Sequence, residues 1–363
     1  MINVAIAGIG NCCSSLYQGL HFHSDSDSII NDLGISIKEI MVKAAYDVDC
    51  RKVGRPLSES IFAKPNCARV FCTELPKGPI VEKIEELDGV STYMLNQPED
   101  CGFRVSSEQK PINLVASLKD NNIDILINYL PVGSQKATEY LAECCLEVGV
   151  SLLNCIPVFI ASDLEWNKRF YDKGIPIIGD DMKSHLGASI LSQMYQELAH
   201  SRNLTVDYHQ QINIGGNTDF NNMMVQERLS SKKISKENVI KSQDEIAGVE
   251  TEKDAIFAGP STYIPYLKDN KVAHLRLELT GFGGSKVEID TKLSVQDSEN
   301  SAGIVIDAIR YLKIAREMGL RGALKGPSAW TQKTPPVQLK SAEAVAECKR
   351  LVACEVPKHM LEV

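Results

Sequence analysis

The chain opens on an apolar run, Val4-Ala5-Ile6-Ala7, which meets Gly8-Ile9-Gly10 and then the small residues Asn11 to Ser15. That order predicts a buried strand, a glycine turn and a helix. The same rhythm recurs to about residue 185. Residues 40–47 read as a strand ending in Asp47, 112–118 as a short helix, and 124–130 as a buried strand stopped by Pro131. Residues 137–148 are helical, with Leu141, Cys145 and Val148 on one face, and 150–155 and 175–181 are further strands. Strands alternating with helices predict a parallel sheet covered by helices. The stretch 53–111 is polar and carries Pro56, Pro65, Pro76, Pro79 and Pro98, so it reads as a long excursion with little regular structure. After a helix at 188–199 the texture changes. Residues 206–214, 272–280 and 286–295 alternate apolar and polar, as in a half-exposed antiparallel or mixed sheet. Ile304, Val305, Ala308, Ile309, Leu312 and Ala315 mark a helix over 302–318, and the tail from Pro335 is helical and returns to the first domain.

The first turn has the chemistry of a dinucleotide site. Gly8 permits the tight turn, Gly10 removes the Cβ that would block a pyrophosphate, and the helix start offers free N–H groups. Cys13 stands where the third glycine of that fingerprint usually lies. A buried strand with a glycine turn and no ligand is the plainer alternative. Asp47 is placed to accept from the adenosine ribose hydroxyls, which favours NAD over NADP because a 2′-phosphate would be repelled. Its distance from Gly10 exceeds the usual spacing, and the polar stretch 23–28 accounts for the excess as a surface insertion. Asp47 could equally be a turn residue ahead of Asp49.

At 363 residues the chain suits about two domains. Its formal charge of −8 argues against nucleic acid or an anionic membrane as partner, so any phosphate site must be a local lysine cluster. The eleven cysteines have no framework spacing and read as reduced, buried small residues of a cytoplasmic protein, with Cys12 and Cys155 the positions for a reactive thiol. No basic leader and no membrane-length apolar run is visible. The histidines show no metal spacing, so no metal site is expected.

Polar residues gather at element ends. Asn128, Asn154, Asp180 and Asp181 close predicted parallel strands, where ligands of open α/β sheets bind. Lys183 and Ser184 follow, Ser184 as helix cap or as part of a cofactor nest. Asn213-Ile214-Gly215-Gly216-Asn217-Thr218-Asp219 has more amides than a plain turn needs and suits a polyol or phosphate. Lys232 and Lys236 share a helical face, either solvated or facing an anion. Lys271, Asp297 and Lys333 are lone charges beside apolar runs.

The segments GIGNCCSSL, AAYDVD, NYLPVGS, CIPVFIASD, GDDMKSHLGAS, NIGGNTDFNNM, RLSSKKISKENV and DSENSAGIVIDAIR, in this order, resemble the prokaryotic-type myo-inositol-1-phosphate synthases over nearly the whole chain. The resemblance implies an α/β fold: a Rossmann-like NAD-binding domain (1–185 and 300–363) with an inserted α+β catalytic and oligomerisation domain (186–299). It implies conversion of D-glucose 6-phosphate to 1D-myo-inositol 3-phosphate by C5 oxidation, enolisation, aldol closure and reduction, in a homotetramer. The residues it implies for catalysis are Lys232, Lys236, Lys271, Lys333, Asp297, Asp181 and Asn213. Lys271 would serve the C5 oxygen and proton transfer, Lys236 and Lys333 would polarise reacting oxygens, and Lys232 would sit near the phosphate. Asp297 would orient a lysine or relay a proton, and Asn213 would contact the sugar. For the NAD site the turn reading and the resemblance together give Gly8, Gly10, Asn11, Cys12, Asp47, Asn128, Asn154, Asp180, Ser184, Asp219 and Lys232.

Leu141 stands where some relatives carry an aromatic near the cofactor, with Tyr140 adjacent. Two other readings share part of the pattern: a diverged cyclase acting on another sugar phosphate, and a simple NAD-dependent dehydrogenase, which leaves the lysines unexplained. A non-catalytic NAD-binding protein would not need Lys271 and Asp297.

Overall fold

The computed structural model describes residues 1–23, 35–252 and 254–354, without the side chains of 226–233, 260 and 261. All but the first residue of the insertion expected at 23–28 lies outside the described residues. The chain begins β1 (Ile2–Ala7), α1 (Asn11–Phe22), β2 (Ile40–Asp47), α2 (Leu57–Ser60), β3 (Val81–Lys83), α3 (Thr92–Leu95) and α4 (Leu114–Asp120). It continues β4 (Ile125–Asn128), α5 (Gln135–Val148), β5 (Ser151–Asn154), α6 (Leu164–Asp172) and β6 (Pro176–Ile177). The first sheet has the order β3-β2-β1-β4-β5, with every pair parallel. The chain winds outward from β1 to β3 on one side and through β4 to β5 on the other, so a crevice opens at the carboxyl ends of β1 and β4.

Both faces of this sheet are covered, which is why its strands read as continuous apolar runs. Val4 and Ile6 face one core with Leu16 and Leu20 of α1; Ala5 and Ala7 face another with Leu141 and Leu152. α5 ends at Gly149, whose φ of 89° continues the turn that a side chain would strain.

Two expectations need correction. The polar excursion at 53–111 contributes β3, which joins the parallel sheet through Ala45 and Val81. The strand expected at 175–181 shrinks to Pro176–Ile177, with Ile178 bridging Leu153. Beyond it the chain leaves the sheet to pair with the C-terminal segment: Asp180 N donates to Thr334 O at 2.9 Å, and Lys333 N to Asp181 O at 2.7 Å.

The middle of the chain forms α7 (Ala188–Ser201), β7 (Thr205–Gly215), α8 (Thr218–Asn222), α9 (Gln226–Ala247), β8 (Ile256–Tyr263), β9 (Asn270–Thr280) and β10 (Lys286–Gln296). Its sheet has the order β10-β9-β7-β8, antiparallel except for β8 against β7. The alternation in β7, β9 and β10 is legible in sequence. β8 is not, because Gly259 and Pro260 interrupt it, and such interruption is tolerated at a sheet edge. α10 (Asp297–Glu317), β11 (Gly322–Ala323), α11 (Lys325–Thr331) and α12 (Ser341–Val352) complete the chain. α10 starts five residues before the expected 302, its polar first turn entering the site described below. Val305, Ile309 and Leu312 then pack it into the α1 core, and α12 lies on α10 and α11, returning the tail to the first sheet as expected. Among the described residues no helix is long and apolar enough to cross a membrane.

Candidate active site

One cavity runs from the β1–α1 turn to the start of α10. At the turn, Gly8 has a φ of +95°, and a Cβ there would lie 2.5 Å from the Tyr129 carbonyl oxygen. A Cβ on Gly10 would meet nothing within 4 Å. Gly10 precedes α1 without any side-chain cap, so the helix presents its first N–H groups uncapped. Packing thus requires Gly8, whereas at Gly10 the open space itself suits a close ligand. Cys13 is fully buried in the α1 core, where its small volume serves helix–strand packing.

Asp47, at the end of β2, accepts from Ile9 N at 2.8 Å, Val48 N at 2.7 Å and Asp49 N at 2.9 Å, with Lys52 Nζ at 3.6 Å. These bonds fix the carboxylate at the cavity wall. Lys52 lines the cavity too; it gave no sequence signal beyond following two acids. Asn11 also lines it: its Oδ1 takes the N–H groups of Cys67 and Ala68, and its Nδ2 reaches Thr218 Oγ1 at 3.3 Å. Burial pushes the Cys12 thiol up to about 12, with Asp269 and Asp297 adding to the shift, and burial raises Cys155 well above its ordinary value. Burial thus favours the neutral thiol at both positions.

Asn128, Asn154 and Asp180 do not line the cavity; they form a buried chain behind it. Asn128 Nδ2 donates to Thr138 Oγ1 and Asn154 Oδ1, and Asn154 Nδ2 donates to Asp180 Oδ1 at 2.7 Å. Asp180 also takes the N–H groups of Ile160, Ala161 and Ser162 and the Ser162 hydroxyl. Burial raises its carboxyl to about 6 against those bonds. The expected cofactor contact by these three side chains is thereby corrected: their polar atoms are used in bracing the strand ends. Leu141 is likewise core, and neither it nor Tyr140 lines the cavity. Ser184 does line it, but α7 begins at Ala188 with Gly187 as its cap residue, so Ser184 is not the helix cap.

Asp181 is the meeting point of three distant segments. Its backbone has a φ of 61°, strained for a residue with a side chain. Its Oδ1 accepts from Lys333 Nζ at 2.9 Å, and its Oδ2 from the Ser235 hydroxyl at 2.7 Å. Thr334 Oγ1 closes the knot on Ser235 at 3.0 Å. Ser235 is the neighbour of Lys236 on α9, and Lys236, only 7% exposed, lines the cavity. A solvated face is thus overturned for Lys236. The backbone of Lys232 lies one helical turn earlier, and its side chain is outside the described residues. Behind the wall Lys183 donates to Ala329 O at 2.8 Å, and burial lowers it to about 8, helped by the charge of Lys333.

Lys271, near the start of β9, forms an ion pair with Asp297 at the head of α10. Asp269, two residues before Lys271, accepts from Asn217 Nδ2 at 3.1 Å, Ser298 N at 3.0 Å and Ser298 Oγ at 2.8 Å. Burial lifts its carboxyl to about 6, and the Asp297 charge adds to that. Sequence reasoning passed over Asp269, which sits in the turn just ahead of β9 and carries no motif. Asn217 caps α8 through Asp219 N and Phe220 N, and Asp219 lines the cavity. Asn213 lines it as well, beside Gln211, which the sequence reading missed.

The arrangement places Lys236, Lys271 and Lys333 around one cavity that begins at an uncapped helix terminus. Fixed cations of this kind stabilise oxygen that gains negative charge. A family model described as myo-inositol-1-phosphate synthase matches residues 187–298. The inositol-3-phosphate synthase of Mycolicibacterium smegmatis is 40% identical, over 97% of this chain and 98% of that protein. The inositol-3-phosphate synthase of Corynebacterium glutamicum is 39% identical, over 93% and 94%. The crystal structure of Ari2 superposes with a TM-score of 0.74 at 31% identity, covering 97% of this chain and 98% of that one.

Proposed function

Because this chain belongs to the myo-inositol-1-phosphate synthase family, we infer that it is an inositol-3-phosphate synthase, converting D-glucose 6-phosphate to 1D-myo-inositol 3-phosphate. The observation that carries the reading is the convergence of Lys236, Lys271 and Lys333 beside the nucleotide-binding turn. We propose NAD as the cofactor, supported by the open approach at Gly10, the uncapped α1 and the fixed carboxylate of Asp47. NAD, when bound, would take hydride from C5 and return it after ring closure, so that no net NADH forms. Gly8, Gly10, Asn11, Cys12, Ser184 and Asp219 would line its site, with Asp47 toward the ribose hydroxyls.

The chain's own residues then act on oxygen. Lys271, paired with Asp297, would hold the C5 oxygen, and the C5 hydroxyl proton would pass through it as a relay, Lys271 giving one ammonium proton to the Asp297 carboxylate as the hydroxyl proton arrives. A ketone at C5 acidifies the C6 hydrogens, one of which would leave as a proton to the substrate's own phosphate dianion, and the resulting enolate needs a fixed cation at its oxygen. Lys333, oriented by Asp181, and Lys236 would polarise the C1 aldehyde as C6 attacks it. Lys232 would meet the phosphate, and Asn213 would bond a sugar hydroxyl. We place the enzyme in the cytoplasm, in keeping with its cysteines and their lack of framework spacing. It would work as a homotetramer, with copies meeting on the central sheet, where Phe257 and Val287 are exposed.

Incubation with glucose 6-phosphate and a catalytic amount of NAD, followed by phosphorus NMR and mass spectrometry, tests the reading. A non-reducing cyclitol phosphate of unchanged mass is expected. Accumulation of NADH with an oxidised sugar phosphate would replace the synthase by a dehydrogenase.

A further inference from the structure

A continuous line of buried hydrogen bonds runs from the cavity wall through the central domain. Asn213 Nδ2 donates to Gly259 O at 2.9 Å, and Asn213 Oδ1 accepts from Gln211 Nε2 at 3.2 Å. Ser192 Oγ of α7 donates to Gln211 Oε1 at 2.9 Å and lies 3.0 Å from His209 Nε2. His209 Nδ1 lies 2.8 Å from Gln196 Oε1, and Gln196 Nε2 donates to Asp244 Oδ1 of α9 at 2.6 Å. Asp244 also holds His200 at 2.7 Å and Thr251 at 2.7 Å. Ser192, Gln196, His209, Gln211 and Asn213 are all essentially inaccessible.

The amide orientations along this line are fixed. Asp244 only accepts, so Gln196 turns its NH₂ to it and its carbonyl to His209. Asn213 gives its NH₂ to the Gly259 carbonyl, so its own carbonyl faces the Gln211 NH₂, and the Gln211 carbonyl faces the Ser192 hydroxyl. Gln211 is buried in the cavity wall. Its NH₂ has a second proton beyond the one given to Asn213, and its carbonyl a second lone pair beyond the one taken by Ser192, so the amide can meet a hydroxyl as donor and acceptor.

We propose that Gln211 is a substrate-contacting residue, taking a sugar hydroxyl as both acceptor and donor, and that Ser192 and His209 are positioning residues that hold its amide. The proposal rests on the sugar-phosphate reading above and adds a specificity contact to it. The line also explains why a family of polar residues is buried across α7, β7 and α9 far from the lysines.

The test compares the full-length wild type with Gln211→Leu, Ser192→Ala and Ser192→Thr. The readouts are KM and kcat for glucose 6-phosphate, and calorimetric affinity for glucose 6-phosphate and its single-deoxy analogues in the presence of NAD. Gln211→Leu is expected to weaken glucose 6-phosphate roughly three- to tenfold, mainly in KM, with NAD affinity unchanged. Wild type should lose affinity for one deoxy analogue by a similar factor, and Gln211→Leu should bind that analogue and the parent alike. Ser192→Ala should raise KM and Ser192→Thr restore it, a pair that decides the matter if Gln211→Leu does not fold. Wild-type values for KM and analogue ranking in Gln211→Leu, or in Ser192→Ala where that variant stands in, overturn the proposal. A wild type that binds glucose 6-phosphate but forms no cyclitol phosphate overturns the synthase reading instead, and the calorimetric ranking still decides Gln211.

Discussion

Lys333 Nζ lies 2.9 Å from Asp181 Oδ1 across 152 residues of chain. The contact exists because segment 331–334 pairs with 180–183 through Lys183 N to Thr331 O and Lys333 N to Asp181 O. The pairing places a cation from the C-terminal segment at the end of the parallel sheet, and Ser235 ties the lysine-bearing helix to the same carboxylate.

If that cation polarises a reacting oxygen, Lys333→Met should lower kcat for cyclitol phosphate formation roughly 10²–10³-fold while NAD affinity stays within twofold. Steady-state kinetics with a parallel fluorescence titration of NAD measures both. Retained kcat would remove Lys333 from the chemistry.

Lys271 and Asp297 form a pair, so their losses should not add. The double variant Lys271→Met/Asp297→Asn is expected to be about as slow as Lys271→Met alone. Multiplying single effects in a double-mutant cycle would mean that the two act separately.

The two glycines of the first turn should fail in different ways. Gly8→Ala forces a Cβ to 2.5 Å from a backbone carbonyl in a left-handed conformation and should destabilise the fold by about 1–3 kcal/mol. Gly10→Ala meets no protein atom within 4 Å, so its stability should stay within about 0.5 kcal/mol of wild type while NAD binding weakens at least tenfold. Urea unfolding and NAD titration of both variants separate these outcomes. Equal NAD affinity in Gly10→Ala would place the pyrophosphate elsewhere.

Lys183 sets a pH dependence with a definite sign. Its value falls from 10.5 to about 8 in the folded state through burial. Between those limits the unfolded chain holds more protons at this site, so the site's contribution to stability rises with pH. Buried thiols such as Cys12, raised by burial to about 12, act in the opposite sense, so the effect is read as a difference. Relative to Lys183→Met, wild type should gain stability from about pH 8 to 10.5, by at most about 3 kcal/mol. Parallel urea-unfolding curves of the two proteins over that range would refute the assignment.

Much of this molecule is legible before folding is considered. The β1–α1 turn is local: an apolar run, two glycines and a helix start dictate strand, turn and N–H cradle within about fifteen residues, as at Val4 to Gly10. Alternation in β7, β9 and β10 is legible for the same reason, since each face of a strand reports its own environment. β8 escaped because an edge strand tolerates Gly259 and Pro260. The segment after Ile178 was misread as strand because its partner, 331–334, is far away in sequence.

The sequence by itself determined the residue types: a glycine turn, an acid at the end of β2, and lysines whose motifs mark a family. Only the tertiary structure decided which polar groups share a space. Asn128, Asn154 and Asp180 end strands as Asp181 does, yet they bond one another behind the wall while Asp181 faces Lys333. Lys236 is buried on a helix whose residues alone suggest a solvated face. Gln211 carries no motif, and the orientation of its amide follows from Asn213 on β7 and Ser192 on α7. Backbone preference acts over a few residues, whereas hydrogen-bond satisfaction in a buried site is settled by every group that packing brings within reach.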